Sequence, residues 1–322
     1  MVEITRQNFI KNLVLMTGLT RSGKTMLAPI ISSMDRVEHV ALNYLMEQIP
    51  MMHILGLIPD KTAVCMMRYA VDAMFYDRAI GRNLNLRFSD LSSVWKSTEP
   101  LSYIRRLFAQ EGDVVLARIE EKDSIFLLMV HDALWHADLY FQSFPTMRMI
   151  HLTRHPISMV YDWFSKGYGA DFFENPRNAT LTVKCESRQL PYYAAGWERE
   201  FLNMSEIDRI IHMIRKLEDD HHQKYNSLSL EVQRRVMIVS FEKMVTDPAP
   251  VLNEISKFLG TALTRHTGKI CKRERCPRAL YRQDQEKELN AIKARCSKDA
   301  FEILMFMSKQ YEDQFIDEGV YS

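Results

Sequence analysis

Four short runs of the chain are apolar on successive positions instead of alternating: residues 12–17 (NLVLMT), 124–130 (SIFLLMV), 147–152 (MRMIHL) and 236–241 (VMIVSF). A strand of that composition has no polar face to offer water, so each is predicted to be a central strand of a parallel sheet covered on both sides. Gly18 cuts off the first run, which favours a strand entering a turn over a helix. Helical spacing follows at residues 25–34, 41–80, 205–226 and 250–259, the last stopped by Gly260. Alternation of strand and helix predicts an α/β fold, a three-layer doubly wound parallel sheet in one domain over residues 1–322. Residues 60–110 and 165–200 mix Gly, Pro, Asn and aromatics without a clear period. Residues 60–110, and the second stretch extended to about 230, are expected to be insertions forming a substrate lid.

Composition narrows the classes of partner. Lys and Arg number 42 against 41 Asp and Glu, a net charge of +1, so there is no general electrostatic reason to expect nucleic acid or an acidic membrane, and any basic site must be local. The five cysteines (Cys65, Cys185, Cys271, Cys276, Cys296) are odd in number and scattered, which argues for reduced thiols. Cys271 and Cys276 lack the second close pair that a zinc site needs, and no metal site is expected. Arg6 and Lys11 precede only a short apolar run before Gly18, unlike a signal peptide, and no other run approaches the roughly 20 residues of a membrane helix. The expected location is cytoplasmic, and a homodimer is left open.

Chemistry enters at Gly18-Leu19-Thr20-Arg21-Ser22-Gly23-Lys24-Thr25, which satisfies G-x-x-x-x-G-K-[ST] between a predicted strand and a predicted helix. Glycines let successive amides of such a P-loop point inward, the helix N-terminus adds partial positive charge, and Lys24 adds a full one. A polyphosphate is the natural occupant. Arg21 is a second loop cation that an ordinary nucleotide hydrolase does not need.

A later strand delivers Arg154, followed by Pro156, to the C-terminal edge of the sheet, where open α/β folds bind their ligands. Here the sequence resembles the sulfotransferases that use 3'-phosphoadenosine 5'-phosphosulfate (PAPS). Arg21-Ser22-Gly23-Lys24-Thr25 takes the place of that family's [KR]-S-G-T-T loop, and Ile150-His151-Leu152-Thr153-Arg154-His155-Pro156 that of its hhhhhRxP strand end. Residues 239–248 (VSFEKMVTDP), leading to Phe258-Leu259-Gly260, are similar to its YEDLxxDP…FLG segment. The resemblance implies that Arg21, Ser22, Gly23, Lys24 and Thr25 hold the 5'-phosphosulfate and Arg154 the 3'-phosphate. It also implies a His base for the acceptor hydroxyl just after the preceding strand: His131 stands 23 positions before Arg154 (154 minus 131), with His136 in reserve. Arg21 and Lys24 would neutralise the charge growing on the departing group, with no metal required.

This chain departs from the pattern in three places. Lys24 replaces the small hydroxyl residue of the loop. Asp162 stands eight positions after Arg154, where a Ser commonly helps to bind the 3'-phosphate, a function left to Ser158 or Ser165. Residues 269–282, rich in Lys and Arg, stand where a basic segment closes over the 3'-phosphate or form a solvated surface run. Tyr161, Trp163, Tyr168, Phe172 and Phe173 are either packing residues or the wall of an acceptor site. A magnesium-dependent P-loop small-molecule kinase using ATP stays open as the alternative, with Asp132 at the end of an apolar strand as its metal-binding carboxylate. The acceptor itself, small molecule or carbohydrate, is not legible.

Overall fold

A computed structural model describes residues 4–169, 181–317 and 320–321. Seven strands occur in it: β1 (Leu13–Thr17), β2 (Ala41–Leu42), β3 (Phe126–Met129), β4 (Arg148–Thr153), β5 (Thr182–Cys185), β6 (Arg188–Pro191) and β7 (Val236–Ser240). Five of them form a parallel sheet in the order β2-β3-β1-β4-β7, while β5 and β6 make a separate antiparallel hairpin. The four predicted strands are all present, but β7 lies at the edge of the sheet instead of its centre, with Met237 and Ile238 only half-buried. Their continuous apolar character has the expected cause, since β1 is buried at every residue. Val14 and Met16 pack with Leu27 and Ile31 of helix Lys24–Ile31 and with Leu252 of helix Pro248–Leu259. Leu13 and Leu15 face the other way, toward Val71 and Phe75 of helix Asp60–Ala79 and Tyr140 of helix Ala137–Ser143. Two helical layers therefore enclose the sheet, and a third apolar cluster joins helices Pro156–Ser165, Glu206–Ser227 and Lys298–Phe315.

The connection from β1 to its helix allows no side chain at its start. Gly18 has φ 138°, and a Cβ there would lie 2.2 Å from the Leu152 carbonyl oxygen of β4. Gly18→Ala combines a disfavoured φ with a backbone overlap, and is expected to lose roughly 2–4 kcal/mol of unfolding free energy in a urea titration.

Two further expectations change. Residues 41–80 are not continuously helical: β2 precedes helices Leu45–Ile54 and Asp60–Ala79. Nor are residues 60–110 aperiodic throughout, because the first 20 form that second helix and pack on the core. Residues 97–99, 102–103, 105–106 and 108–109 contribute to a cavity of about 610 Å³ that also involves Ser32, Glu38 and Ser124. These residues sit at the N-terminal edge of the sheet, so this part of the expected lid faces away from the P-loop. In the second insertion, the hairpin and the turn at Tyr192–Ala194 pack on helix Glu206–Ser227.

Candidate active site

Arg21 (φ 70°) and Gly23 (φ 107°) both take left-handed conformations, the backbone geometry that curls a loop into an arc of amides, with the Ser22 amide donating to the Leu19 carbonyl at 3.1 Å. The Met26 amide donates to the Gly23 carbonyl at 3.0 Å, which leaves the Lys24 and Thr25 amides at the helix N-terminus to add to that arc. Ser22 is buried with its hydroxyl unpartnered, and Thr25 is exposed on the first turn. Lys24 behaves differently from the expectation for a phosphate-facing cation. Its ammonium donates to the Gly18 carbonyl at 2.5 Å and the Leu19 carbonyl at 2.8 Å, and the residue is only 4% exposed. Burial pulls its pKa down to about 8 against the opposing charges of Asp132 and Glu47, so it stays charged at neutral pH. Of the two loop cations, Arg21 is the half-exposed one.

Arg154 leaves the end of β4 and turns toward this loop. Its guanidinium donates to the Arg21 carbonyl at 3.0 Å and to Asp162 at 2.7 Å, and its carbon lies 4.8 Å from the centroid of the Phe241 ring. The same ring meets Gly23, where an added Cβ would come within 2.5 Å of it, and Arg278 lies 5.3 Å from its centroid. Phe241 is thus an apolar floor that sets two guanidinia beside the P-loop. Asp162 also lies 3.6 Å from the Arg21 guanidinium, so the carboxylate placed by sequence where phosphate was expected bridges Arg21 and Arg154. Pro156 starts the helix after Arg154 in the first-turn position suited to its missing N–H. That start sets Ser158 and Asp162, four residues apart, on one face. Ser158 donates to Glu288 at 2.6 Å, and Ser165 is exposed at the end of the helix. Trp163 is buried and supports the loop, donating from Nε1 to the Thr20 carbonyl at 2.8 Å, with Tyr168 edge-on to it at 5.8 Å. Tyr161 packs in the same cluster, and Phe172 and Phe173 lie outside the described residues.

Beyond β3 the chain turns sharply, with Asp132 at φ 54°, and the turn is pinned to β1 where the Ala133 amide donates to Thr17 Oγ1 at 2.9 Å. His131 sits on this turn, about one-third exposed. Its Nδ1 and its backbone amide both lie 2.8 Å from one carboxylate oxygen of Glu47, on helix Leu45–Ile54. A carboxylate on Nδ1 selects the tautomer whose Nε2 can accept a proton. Asp132 is buried with one carboxylate oxygen unpartnered; burial pushes its pKa up to about 6, opposed by His131 and Lys24. Nearby lie the unpartnered hydroxyl of Tyr192 and the buried side chain of Tyr193, and burial and the charge of Asp132 suppress the acidity of both. Trp135 stacks on Tyr192 with centroids 5.8 Å apart. His136 is fully interior, and burial pushes it down to about 3.

The sequence model of the sulfotransferase family matches residues 14–265, a span that holds all but the first residue of β1, the P-loop, His131, Arg154 and Gly260. The chain belongs to the sulfotransferase family. Several solved sulfotransferases are similar in structure. The sulfotransferase domain from the curacin biosynthetic pathway is 13% identical over 80% of this chain and 77% of its own, with a TM-score of 0.44. Sulfotransferase STF1 from Mycobacterium tuberculosis H37Rv is 14% identical over 82% of this chain and 71% of its own, at 0.42. STF9 from Mycobacterium avium is 15% identical over 97% of this chain and 79% of its own, at 0.43. Among curated proteins none matches the sequence significantly. Among the described residues of this sulfotransferase, no helix is long and apolar enough to cross a membrane.

Two residues of this candidate site were not singled out from sequence. Glu47 lies 84 positions from His131 and is one carboxylate among several on helical segments, so nothing local distinguishes it. Arg278 lay inside the basic stretch 269–282 without being told apart from its neighbours; its place beside Phe241 is what distinguishes it.

Proposed function

We propose that this sulfotransferase moves the sulfuryl group of PAPS to a hydroxyl or amine of a small-molecule acceptor, with protein cations in place of a metal at the transfer site. The observation that carries this reading is the meeting of Arg154 with the P-loop across Phe241, which brings two anion-binding elements to one place. A nucleotide with phosphate at both 3' and 5' positions needs two such anchors. The residues fit it: the arc of amides and the Ser22 hydroxyl face one anion, and Arg154 with Arg278 a second, while Arg21 lies between. When bound, the donor supplies a sulfuryl group whose bond to the bridging oxygen breaks as the acceptor oxygen bonds sulfur, the electron pair leaving with 3'-phosphoadenosine 5'-phosphate. His131 Nε2 takes the acceptor proton, and Glu47 on Nδ1 stabilises the imidazolium that results. Arg21 offsets the charge released on the bridging oxygen, and buried Lys24 holds the loop carbonyls in place.

Calorimetry with 3'-phosphoadenosine 5'-phosphate and with ATP, each with and without Mg²⁺, tests the donor. Metal-independent preference for the bisphosphate is expected. Tighter binding of ATP that requires Mg²⁺ and disappears in Asp132→Asn would overturn the proposal in favour of the kinase.

A further inference from the structure

On the far side of β4 from Phe241, three side chains with no part in sulfuryl transfer come together. His151 projects from β4, and Glu218 and His221 from helix Glu206–Ser227, three residues apart and so on one face of that helix. One ligand atom from each lies within 4.8 Å of the others. His151 is 3% and His221 2% exposed, and the imidazole rings meet edge to face with centroids 4.9 Å apart. No hydrogen bond to a protein partner satisfies Nδ1 of His151 or either ring nitrogen of His221. Leaving a buried polar group unpaired costs about 1–3 kcal/mol, so three such nitrogens in one cluster call for a common partner.

We infer that His151, Glu218 and His221 form a binding site for one divalent transition-metal ion of the zinc type, clamping helix Glu206–Ser227 to β4 beneath the transfer site. Two imidazoles and a carboxylate are a donor set that zinc accepts, with at least one position left for water. Glu-x-x-His on one helical turn is an arrangement that bundle proteins use to hold metals. Ligand atoms around a tetrahedral zinc lie about 3.3 Å apart, so the side chains need close by at most about 1.5 Å. Burial holds both imidazoles neutral, the form that ligates, pushing His151 down to about 3 and His221 well below its usual range. Burial and the charges of Asp132 and Asp219 push Glu218 up to about 7, and a bound cation would relieve that pressure. A cavity of about 160 Å³, lined by Glu218, His222 and Tyr311, reaches the carboxylate member of the cluster.

The test uses the full chain without an affinity tag, stripped with a chelator, dialysed and titrated with Co²⁺ while visible absorption is followed. The site should take up one Co²⁺ per chain with the intense d–d bands of four- or five-coordination, and Zn²⁺ should displace it. Loss of an outer-shell partner weakens a metal site by about 10–100-fold, so Glu218→Gln and His221→Ala, each removing a ligand, should weaken Co²⁺ binding at least about a hundredfold. His222→Ala, at an exposed neighbour, should leave it unchanged. Circular dichroism of each variant establishes folding, and Glu218→Gln, isosteric at a half-buried position, decides the question should His221→Ala fail to fold. Absence of stoichiometric uptake by the wild-type chain, or retention of the bands in Glu218→Gln, overturns the site.

Discussion

Arg154→Ala is expected to weaken binding of 3'-phosphoadenosine 5'-phosphate by roughly 10–150-fold, since a charge-assisted hydrogen bond is worth about 1.5–3 kcal/mol. The guanidinium is held on three sides, by Phe241, the Arg21 carbonyl and Asp162, so its position beside the loop is set before a nucleotide arrives. Arg154→Lys separates charge from shape: it keeps the cation and loses the planar fork, and recovery of only part of the affinity is expected. Calorimetry at one fixed salt concentration measures both, with thermal melting to establish that each variant folds. Unchanged affinity in Arg154→Ala removes the second anchor, and with it the case for a nucleotide phosphorylated at both ends.

The second large effect belongs to turnover alone. His131→Ala is expected to lower kcat by about 10²–10⁴ while leaving nucleotide affinity near its original value, the range that a positioned general base supplies. His131 lies on the turn after β3, and no hydrogen bond links it to the P-loop or Arg154, so removing its ring should spare the donor anchors. Glu47→Gln should give a smaller loss in kcat, because an amide can still hold the ring but no longer stabilises the imidazolium. Added imidazole should restore part of the turnover of His131→Ala. Undiminished kcat in that variant rejects the role of base, and no rescue combined with weakened nucleotide binding makes the residue structural.

The layered fold was legible because a strand buried on both faces must be apolar throughout, as β1 and β3 are. β2 escaped notice because two residues carry no period, and the hairpin because no residue of β5 and only two of the four in β6 are buried, with Lys184 and Arg188 exposed near its turn. The P-loop could be read as a pattern, yet the pattern does not say which way a flexible ammonium will point. Lys24 folds under the loop onto its carbonyls, and Arg21 is left as the more exposed cation. Asp162 shows the same limit: as one residue in a string it should repel phosphate, but a helical turn sets it between two guanidinia. Pairings across 84 residues, such as that of His131 with Glu47, leave no local trace. The meeting of His151 with Glu218 and His221 is equally silent in the sequence.

On the proposed reading, the carboxylate of Asp162, between Arg21 and Arg154, makes nucleotide binding a substitution of anions. An incoming phosphate takes over partners already in use, so the attraction gained is smaller than the number of arginines implies, and the dependence of affinity on salt is shallower. When the spent nucleotide leaves, the two guanidinia are not stranded without a counterion, because their own helix returns one. In that reading the helix after β4 supplies the counterion for the emptied site as well as a wall of the place where donor is held.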